Sequence, residues 1–322
     1  MASTTAVAAI KEWRKNNKFI CHVKLNYKKA LRKCREISLI GGKYKEYQTL
    51  CENYACAKLT GATEGLVNFE DKPFKAYLNK KMSKRAKLNI AHGALNFIEK
   101  TFRPEALPQL YDMAAFGRSL IAIPLKNGTC IDVKLLASPF QEEGELMLLM
   151  FLGDRRVYSI CFSCTADGQA WIGGIQGGKD IDNEEVKALT KELYGIRPKN
   201  LIITLLYGFL SHFNIKEIYA IDSHYHVKSE RVKTSYSELW LEIGGEKHRR
   251  GWYKLPPSEI KKSLEEVKSK HRSQFIKREG LKELAQLDLA AALRDICVKR
   301  NGKLPSLRIC RRAGGCPPAI SG

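Results

Sequence analysis

No stretch of this 322-residue chain is apolar for long enough to cross a bilayer. The longest uninterrupted apolar run, Leu146 to Leu152, falls far short of the ~20 residues a membrane helix needs, and the richer segment Leu201 to Phe213 is broken by Thr204, Ser211 and His212. The charge order of a secretory leader is missing too, since no basic residue precedes the short alanine-rich stretch of MASTTAVAAIKEW. The chain is therefore expected in the cytoplasm. Its ten cysteines show no framework spacing and are expected as reduced thiols. A Walker-type loop, a G-x-S-x-G elbow, an H-E-x-x-H helix and a Rossmann glycine triplet are all lacking, which removes the common hydrolase and nucleotide-binding signatures.

Acidic residues are scarce: 34 Asp and Glu face 55 Lys and Arg, a net charge of +21. Residues 1–103 carry 22 basic and 8 acidic side chains, residues 104–228 carry 12 and 15, and residues 229–322 carry 21 and 11. Basic flanks around a nearly neutral centre attract nucleic acid or the cytoplasmic leaflet of a membrane; a solvated, solubilising surface is the plain alternative. With 44% hydrophobic residues, a sizeable globular core is expected.

The first third reads as helices. Tyr27, Leu31, Cys34 and Ile37 follow helical spacing, Lys28, Lys29, Arg32 and Lys33 occupy the other faces, and Gly41-Gly42 supplies a stop. A second basic segment, with Lys80, Lys81, Lys84 and Arg85, runs into the apolar stripe Leu88, Ala91, Leu95, Ile98 and Phe102 before Pro104. From Arg118 the pattern becomes strands: 119–125, 130–136, 145–152, 157–165 and 170–175, separated by turn residues. A helix capped by Asn183 and a buried helix opening at Pro198 then lead to a strand over 216–222, a β-α-β unit that implies a right-handed crossover if its strands are parallel neighbours. The remainder reads as strands over 236–243 and 252–255, helices over 258–277 and 282–298, and a disordered tail.

Cys161 and Cys164 have redox or zinc spacing, but a strand turns residues three apart to opposite faces, so core thiols are the better reading. His224 and His226, two apart beyond a strand end, would point one way on an extended backbone, close to Asp222; no third ligand is evident, and no metal is expected. The glycine stretch Gly173, Gly174, Gln176, Gly177 and the helix start with Arg197 and Lys199 form a candidate anion or cofactor site, because glycines admit a ligand close to the backbone and helix N-termini favour anions. A tight turn plus an exposed helix start is the plain alternative.

These residues also carry a resemblance. Ile172-Gly-Gly-Ile-Gln-Gly177, Thr190-Lys191 with Tyr194-Gly-Ile-Arg-Pro-Lys199, Ala220-Ile221-Asp222 before His226-Val227, Tyr236 with Trp240, Gly244-Gly245 and Leu255-Pro256 resemble the VirK/YbjX family of enterobacterial proteins over residues 30–280. The resemblance implies a cytoplasmic or peripherally membrane-associated protein linked to virulence, to display of outer-membrane or surface proteins, and to envelope resistance. Asp222, His226 and Trp240 become candidate pocket residues. A more distant similarity of element order is to GNAT-type acyltransferases, which implies coenzyme A or another acyl carrier, although the compact Q-x-x-G-x-G/A loop is not present.

The fold class expected is α+β: a basic helical region over 1–115, then a mixed, mostly antiparallel sheet with packed helices over 116–300, GNAT-like in order, and a tail over 301–322. The favoured function is a virulence accessory protein supporting envelope integrity or surface-protein localisation, with an anionic membrane surface or an envelope-biogenesis protein as partner. A GNAT-like acyltransferase is the alternative, and a nucleic-acid-binding regulator comes third.

Overall fold

The computed structural model describes residues 41–58, 69–179, 181–231 and 235–298, together with Tyr27, Ala30, Leu31 and Cys34, which are helical. Lys28, Lys29, Arg32, Lys33 and the expected tail over 301–322 lie outside the described residues. Helices come first: α1 (Gly42–Lys58), a 3-10 helix (Phe69–Phe74), α2 (Lys84–Thr101) and the single turn α3 (Leu107–Leu110). Five strands follow, β1 (Arg118–Pro124), β2 (Cys130–Ala137), β3 (Leu146–Leu152), β4 (Arg155–Cys164) and β5 (Gln169–Gly177). Helices α4 (Asn183–Glu192) and α5 (Pro198–His212) cross to β6 (Glu217–Ile221), and α6 (Tyr236–Glu242), β7 (Glu246–His248), β8 (Trp252–Leu255) and α7 (Arg272–Ile296) complete the chain.

The strands form one eight-stranded sheet in the order β1-β2-β3-β4-β5-β6-β8-β7, in which β5 and β6 are the one parallel pair among the described residues. The mixed α+β class is therefore as expected. Alternation along β3 explains the layering: Leu146, Leu148 and Met150 face a large core, whereas Met147, Leu149 and Phe151 face a smaller one with Leu136 and Cys161. Helix α5 packs on β3 and β4 and is covered by α7. Its Leu201, Ile202, Leu205, Leu206 and Phe209 are all buried, each worth about 1.5–3 kcal/mol of transfer free energy. Phe209 meets Phe162 of β4 edge-on, with ring centroids 5.2 Å apart.

Beneath one edge of the core lies a buried ion pair. Lys72 of the 3-10 helix contacts Glu145, whose other oxygen accepts from Tyr77 at 3.1 Å, and Tyr77 in turn lies 3.0 Å from Ser163 Oγ. Breaking such a pair leaves an uncompensated charge, so this network fixes the helical region onto the start of β3.

The parallel pair is short. Register runs from Gln169↔Glu217 to Ile172↔Ala220, β6 ends at Ile221, and β5 continues to Gly177. Past Ile172 the edge of β5 that faced β6 has no strand beside it, and its buried backbone groups need other partners. Tyr236, at the start of α6, supplies them: its hydroxyl accepts from the Ile175 N–H at 3.4 Å and donates to the Ile175 carbonyl at 3.0 Å.

Several elements differ from the sequence expectation. The stretch 236–243, whose apolar residues suggest a strand, is helix α6, because Tyr236, Leu239 and Trp240 bury at helical spacing and the Ser235 hydroxyl caps the Glu238 N–H. Strand β5 runs on through Gln176 and Gly177, two residues past the end expected at 175. Gly42 opens a helix where a stop was expected, and Tyr44, Tyr47 and Cys51 form its buried stripe. The cap of α4 is Asp182, in a reciprocal box with Glu185, and not Asn183. One helix, α7, runs through Gly280, while residues 258–268 carry no helix.

Tyr236→Phe tests the account of the diverging strands. It leaves the ring in place but strips Ile175 of both side-chain hydrogen bonds, so unfolding free energy should fall by about 1–3 kcal/mol. Denaturant melts giving a change under about 0.5 kcal/mol would show that these backbone groups do not depend on Tyr236.

Candidate functional site

The loop before β3 places three carboxylates within four residues, Glu142, Glu143 and Glu145. Gly144 separates them at φ 153°, and a Cβ there would fall 2.7 Å from the Phe162 backbone, so only glycine lets the loop press against β4. The chain turns at this point, and the flanking side chains part: Glu145 enters the Lys72 network, and Glu143 lies against β5.

Glu143 occupies the space above the glycine stretch. A Cβ on Gly173 would overlap the Glu143 carbonyl, and one on Gly174 would fall 2.4 Å from the Glu143 carboxylate. Gln176 donates to both carboxylate oxygens, at 3.2 and 3.0 Å. Glu143 is 1% exposed and has no cation in direct contact among the described residues, because the nearby Lys228 pairs with Glu142 instead. Burial consequently pushes its carboxyl up from 4.5 to about 7, despite opposing pulls from Lys228 and Gln176.

His226 completes the cluster. The Lys228 backbone N–H donates to its Nδ1 at 3.0 Å, and since an amide can only donate, Nδ1 is the acceptor and the proton of the neutral ring sits on Nε2. That Nε2 is buried without a hydrogen-bond partner, 3.5 Å from Glu143 Oε1. Burial holds the imidazole below its ordinary value, so the ring is neutral at pH 7. Its ring and that of Tyr236 pack edge-to-face, at 88° with centroids 5.8 Å apart.

Two neighbours bound the site. Cys161 accepts from Ser138 Oγ at 3.6 Å, and burial pushes its thiol well up, which keeps it from acting as a thiolate. Leu78 crowds Gly173 beside the Glu143 carbonyl; it holds φ 56°, a left-handed backbone costing of order 1–3 kcal/mol in a non-glycine residue, while its N–H donates to the Glu142 carbonyl at 2.7 Å. The arrangement can hold or take a proton at Glu143 and donate one from His226 Nε2.

Of the residues singled out in the sequence, Gly173, Gly174, Gln176 and His226 come together around Glu143. Gly177 packs on the Tyr158 ring. Asp222 and Trp240 tie α6 to the end of β6, through Ser237 Oγ donating to Asp222 at 3.1 Å and Trp240 Nε1 donating to the Ile221 carbonyl at 2.8 Å. Arg197, exposed, and Lys199, half-buried, stand at the start of α5; Arg197 lines a cleft with α7 that includes none of the glycine stretch. Lys80, Lys81 and Arg85 are exposed and Lys84 half-buried. His224 and His226 do not point the same way, because Asp222 caps a 3-10 turn over 223–225 that leaves one ring exposed and the other buried.

Glu143 itself escaped the sequence reading. An acidic run next to a Ser-Pro turn has the signature of solvated surface, and only the apolar strand immediately after it hinted at burial.

The family model described as "Protein of unknown function (DUF535)" matches residues 15–291. This chain belongs to that family. The Escherichia coli protein named "Uncharacterized protein YbjX" is similar at 26% identity over 192 residues, 55% of this chain and 58% of that one, in keeping with the VirK/YbjX resemblance. An uncharacterized Haemophilus influenzae protein is 28% identical over 141 residues, 42% of this chain and 48% of its own length. The chain thus spans about half the length of the curated relatives it matches. No helix of the described residues is long and apolar enough to cross a membrane.

The raised carboxyl gives this cluster a pH signature. Glu143 holds its proton more tightly folded than unfolded, so it favours the folded state below pH 4.5 and that advantage is lost as pH rises through about 7, a change of about 3 kcal/mol. His226 acts in the opposite sense, costing stability as pH falls below 6.5. Glu143→Gln removes only the first effect. Relative to wild type, the variant should gain stability steadily between pH 5 and pH 8 in paired thermal melts; parallel curves would mean that Glu143 is not held protonated.

Proposed function

We propose that this DUF535 protein serves the bacterial envelope by transferring an acyl group from a thioester carrier, in the manner of GNAT-type enzymes, with Glu143 as general base. The observation that supports this most is the divergence of β5 and β6 after Ile172 with a buried carboxyl near pH 7 beside the gap. A base that titrates at the working pH is best matched to its task. In the step envisaged, an amine or hydroxyl attacks the carrier's thioester carbonyl and its proton passes to Glu143. The new carbon–nitrogen or carbon–oxygen bond forms as the carbon–sulfur bond breaks, and the carrier leaves as a thiolate. Neutral His226, whose buried Nε2–H lies 3.5 Å from Glu143 Oε1, is the donor that would stabilise the developing oxyanion. Tyr236 fills the gap between the strands and would have to yield to a carrier.

Full-length protein with acetyl- and long-chain acyl-coenzyme A tests the reading. A saturable rise in melting temperature is expected, because a ligand specific for the folded state stabilises it. Glu143→Gln should keep that rise yet lose about 100-fold or more in kcat with an accepting substrate. Absence of any shift with every carrier would overturn acyl transfer.

A cytoplasmic, peripheral setting at the inner membrane, with a role in virulence or surface-protein localisation, is the companion reading. It is supported by Tyr27 and Leu31, 63% and 46% exposed on a segment whose sequence is strongly basic, and by the exposed Lys80, Lys81 and Arg85. The full chain should sediment with phosphatidylglycerol vesicles and be released by salt, since each basic residue near the surface contributes about 1 kcal/mol through a screened field. Binding to RNA or DNA with inert vesicles would favour the nucleic-acid reading instead.

A further inference from the structure

The start of α5 and one face of α7 enclose a cleft of about 340 Å³. Cations dominate its walls: Arg197 on one side, Lys261 and Lys262 from the segment after β8, and Arg278 and Lys282 from α7, against the carboxylates of Glu242 and Glu279. Some of this charge is already matched. Lys282 lies 2.5 Å from Glu259 and 3.5 Å from Glu279, Lys261 lies 3.3 Å from Glu283, and Arg278 lies 3.4 Å from Glu279. Arg197 and Lys262 have no ionic or hydrogen-bonding partner among the described residues.

The cleft opens into a second of about 350 Å³ that shares Gly195, Lys262, Phe275 and Arg278 and adds Lys268, His271 and the carboxylate of Glu266, which accepts from the Ser263 N–H. Unpaired cations facing one concavity repel each other, and an anion relieves that repulsion while gaining charge-assisted hydrogen bonds. The floor is mixed. Ile196, Ile260 and Phe275 are apolar, and Arg278 stacks over the Phe275 ring at 5.0 Å. Asn200, half-buried at the start of α5, adds a polar side chain to the lining.

We infer that this cleft binds a small phosphorylated molecule, with Arg197 and Lys262 contacting its phosphate. The site does not rest on the acyl-transfer reading, because its walls include neither Glu143 nor the glycine stretch. Two sources share the chemistry: the pyrophosphate arm of an acyl carrier, or a separate phosphometabolite or headgroup.

Melting temperature and calorimetric titration of the full chain with inorganic pyrophosphate decide the matter, with sodium chloride at matched ionic strength as the reference. Saturable binding that chloride does not reproduce is expected. Arg197→Gln with Lys262→Gln should weaken it at least about 10-fold, since two charge-assisted contacts are lost, while the ligand-free melt stays close to wild type because neither side chain has an internal partner. Arg197→Lys alone, which keeps the charge, should lose less, and it serves as the comparison if the double variant proves unstable. Lys80→Gln with Lys81→Gln, elsewhere on the surface, should bind pyrophosphate as the wild type does. Equal binding by the cleft variants, or loss in the Lys80/Lys81 variant, would overturn the site and point to general charge. If pyrophosphate binds and coenzyme A competes with it, the carrier is the source; if coenzyme A neither binds nor competes, the site stands with a separate ligand and acyl transfer fails by itself.

Discussion

Everything around Glu143 follows from four residue pairs of parallel sheet and no more. A parallel partner would satisfy the edge of β5 along its whole length, but β6 stops at Ile221, one residue past its last pairing with β5. Buried backbone groups then have to find side chains, and the segment from Asp222 to Trp240 supplies them. Tyr236 reaches Ile175, Trp240 holds the Ile221 carbonyl, and His226 lies over Gly174. The turn that carries His226 is fixed in turn by Asp222, whose carboxylate caps it at the His224 N–H, 2.8 Å away. A strand end, an aromatic hydroxyl and a histidine form one interlocked unit because each satisfies a group the others leave open.

The same economy explains why two nearby glutamates behave differently. Glu145 meets a lysine, a tyrosine and, through its own N–H, a serine, so its charge is accommodated deep in the core. Glu143 meets one amide side chain and a neutral imidazole, and the one lysine near it is engaged by Glu142. Low-dielectric surroundings penalise a charge that lacks a counterion, and the proton is retained. A structural carboxylate would be paired. On the acyl-transfer reading, the carboxyl left unpaired beside the left-handed Leu78 backbone is the group held ready for proton transfer.

Much of this was legible in the residues. Alternating strands, the Pro198 helix start, the buried apolar run of α5 and the stripe from Leu88 to Ile98 declare themselves through period and punctuation, because local geometry alone sets those patterns. The glycine stretch stood out as well, but its meaning did not: the sequence cannot say that the atoms crowding Gly173 and Gly174 come from Glu143, about thirty residues upstream. Helix α6 was missed although Ser235-x-x-Glu238 is a capping signature, since its closely spaced Leu239, Trp240, Leu241 and Ile243 also read as an extended run. The union of Glu143, Gln176 and His226 depends on sheet order, a long-range property that no window of sequence contains.

Charge at the helix starts bears on where an anion can sit. In the acyl-transfer reading, the turn after β5 is where a carrier's pyrophosphate would be sought, yet α4 opens with Asp182, Glu184 and Glu185, and Arg155 is spent on Glu185. Carboxylates there already satisfy the positive end of the helix and repel a phosphate. The next helix start, at α5, is the reverse: its N-cap is Arg197, no side chain caps its amides, and no acidic residue stands in its first turn. Electrostatics therefore disfavour a phosphate at the first helix start of the crossover and suit one better at the second. The proposed anion site therefore belongs at the α5–α7 cleft, and on the acyl-transfer reading the gap beside β5 is left to the uncharged part of the carrier.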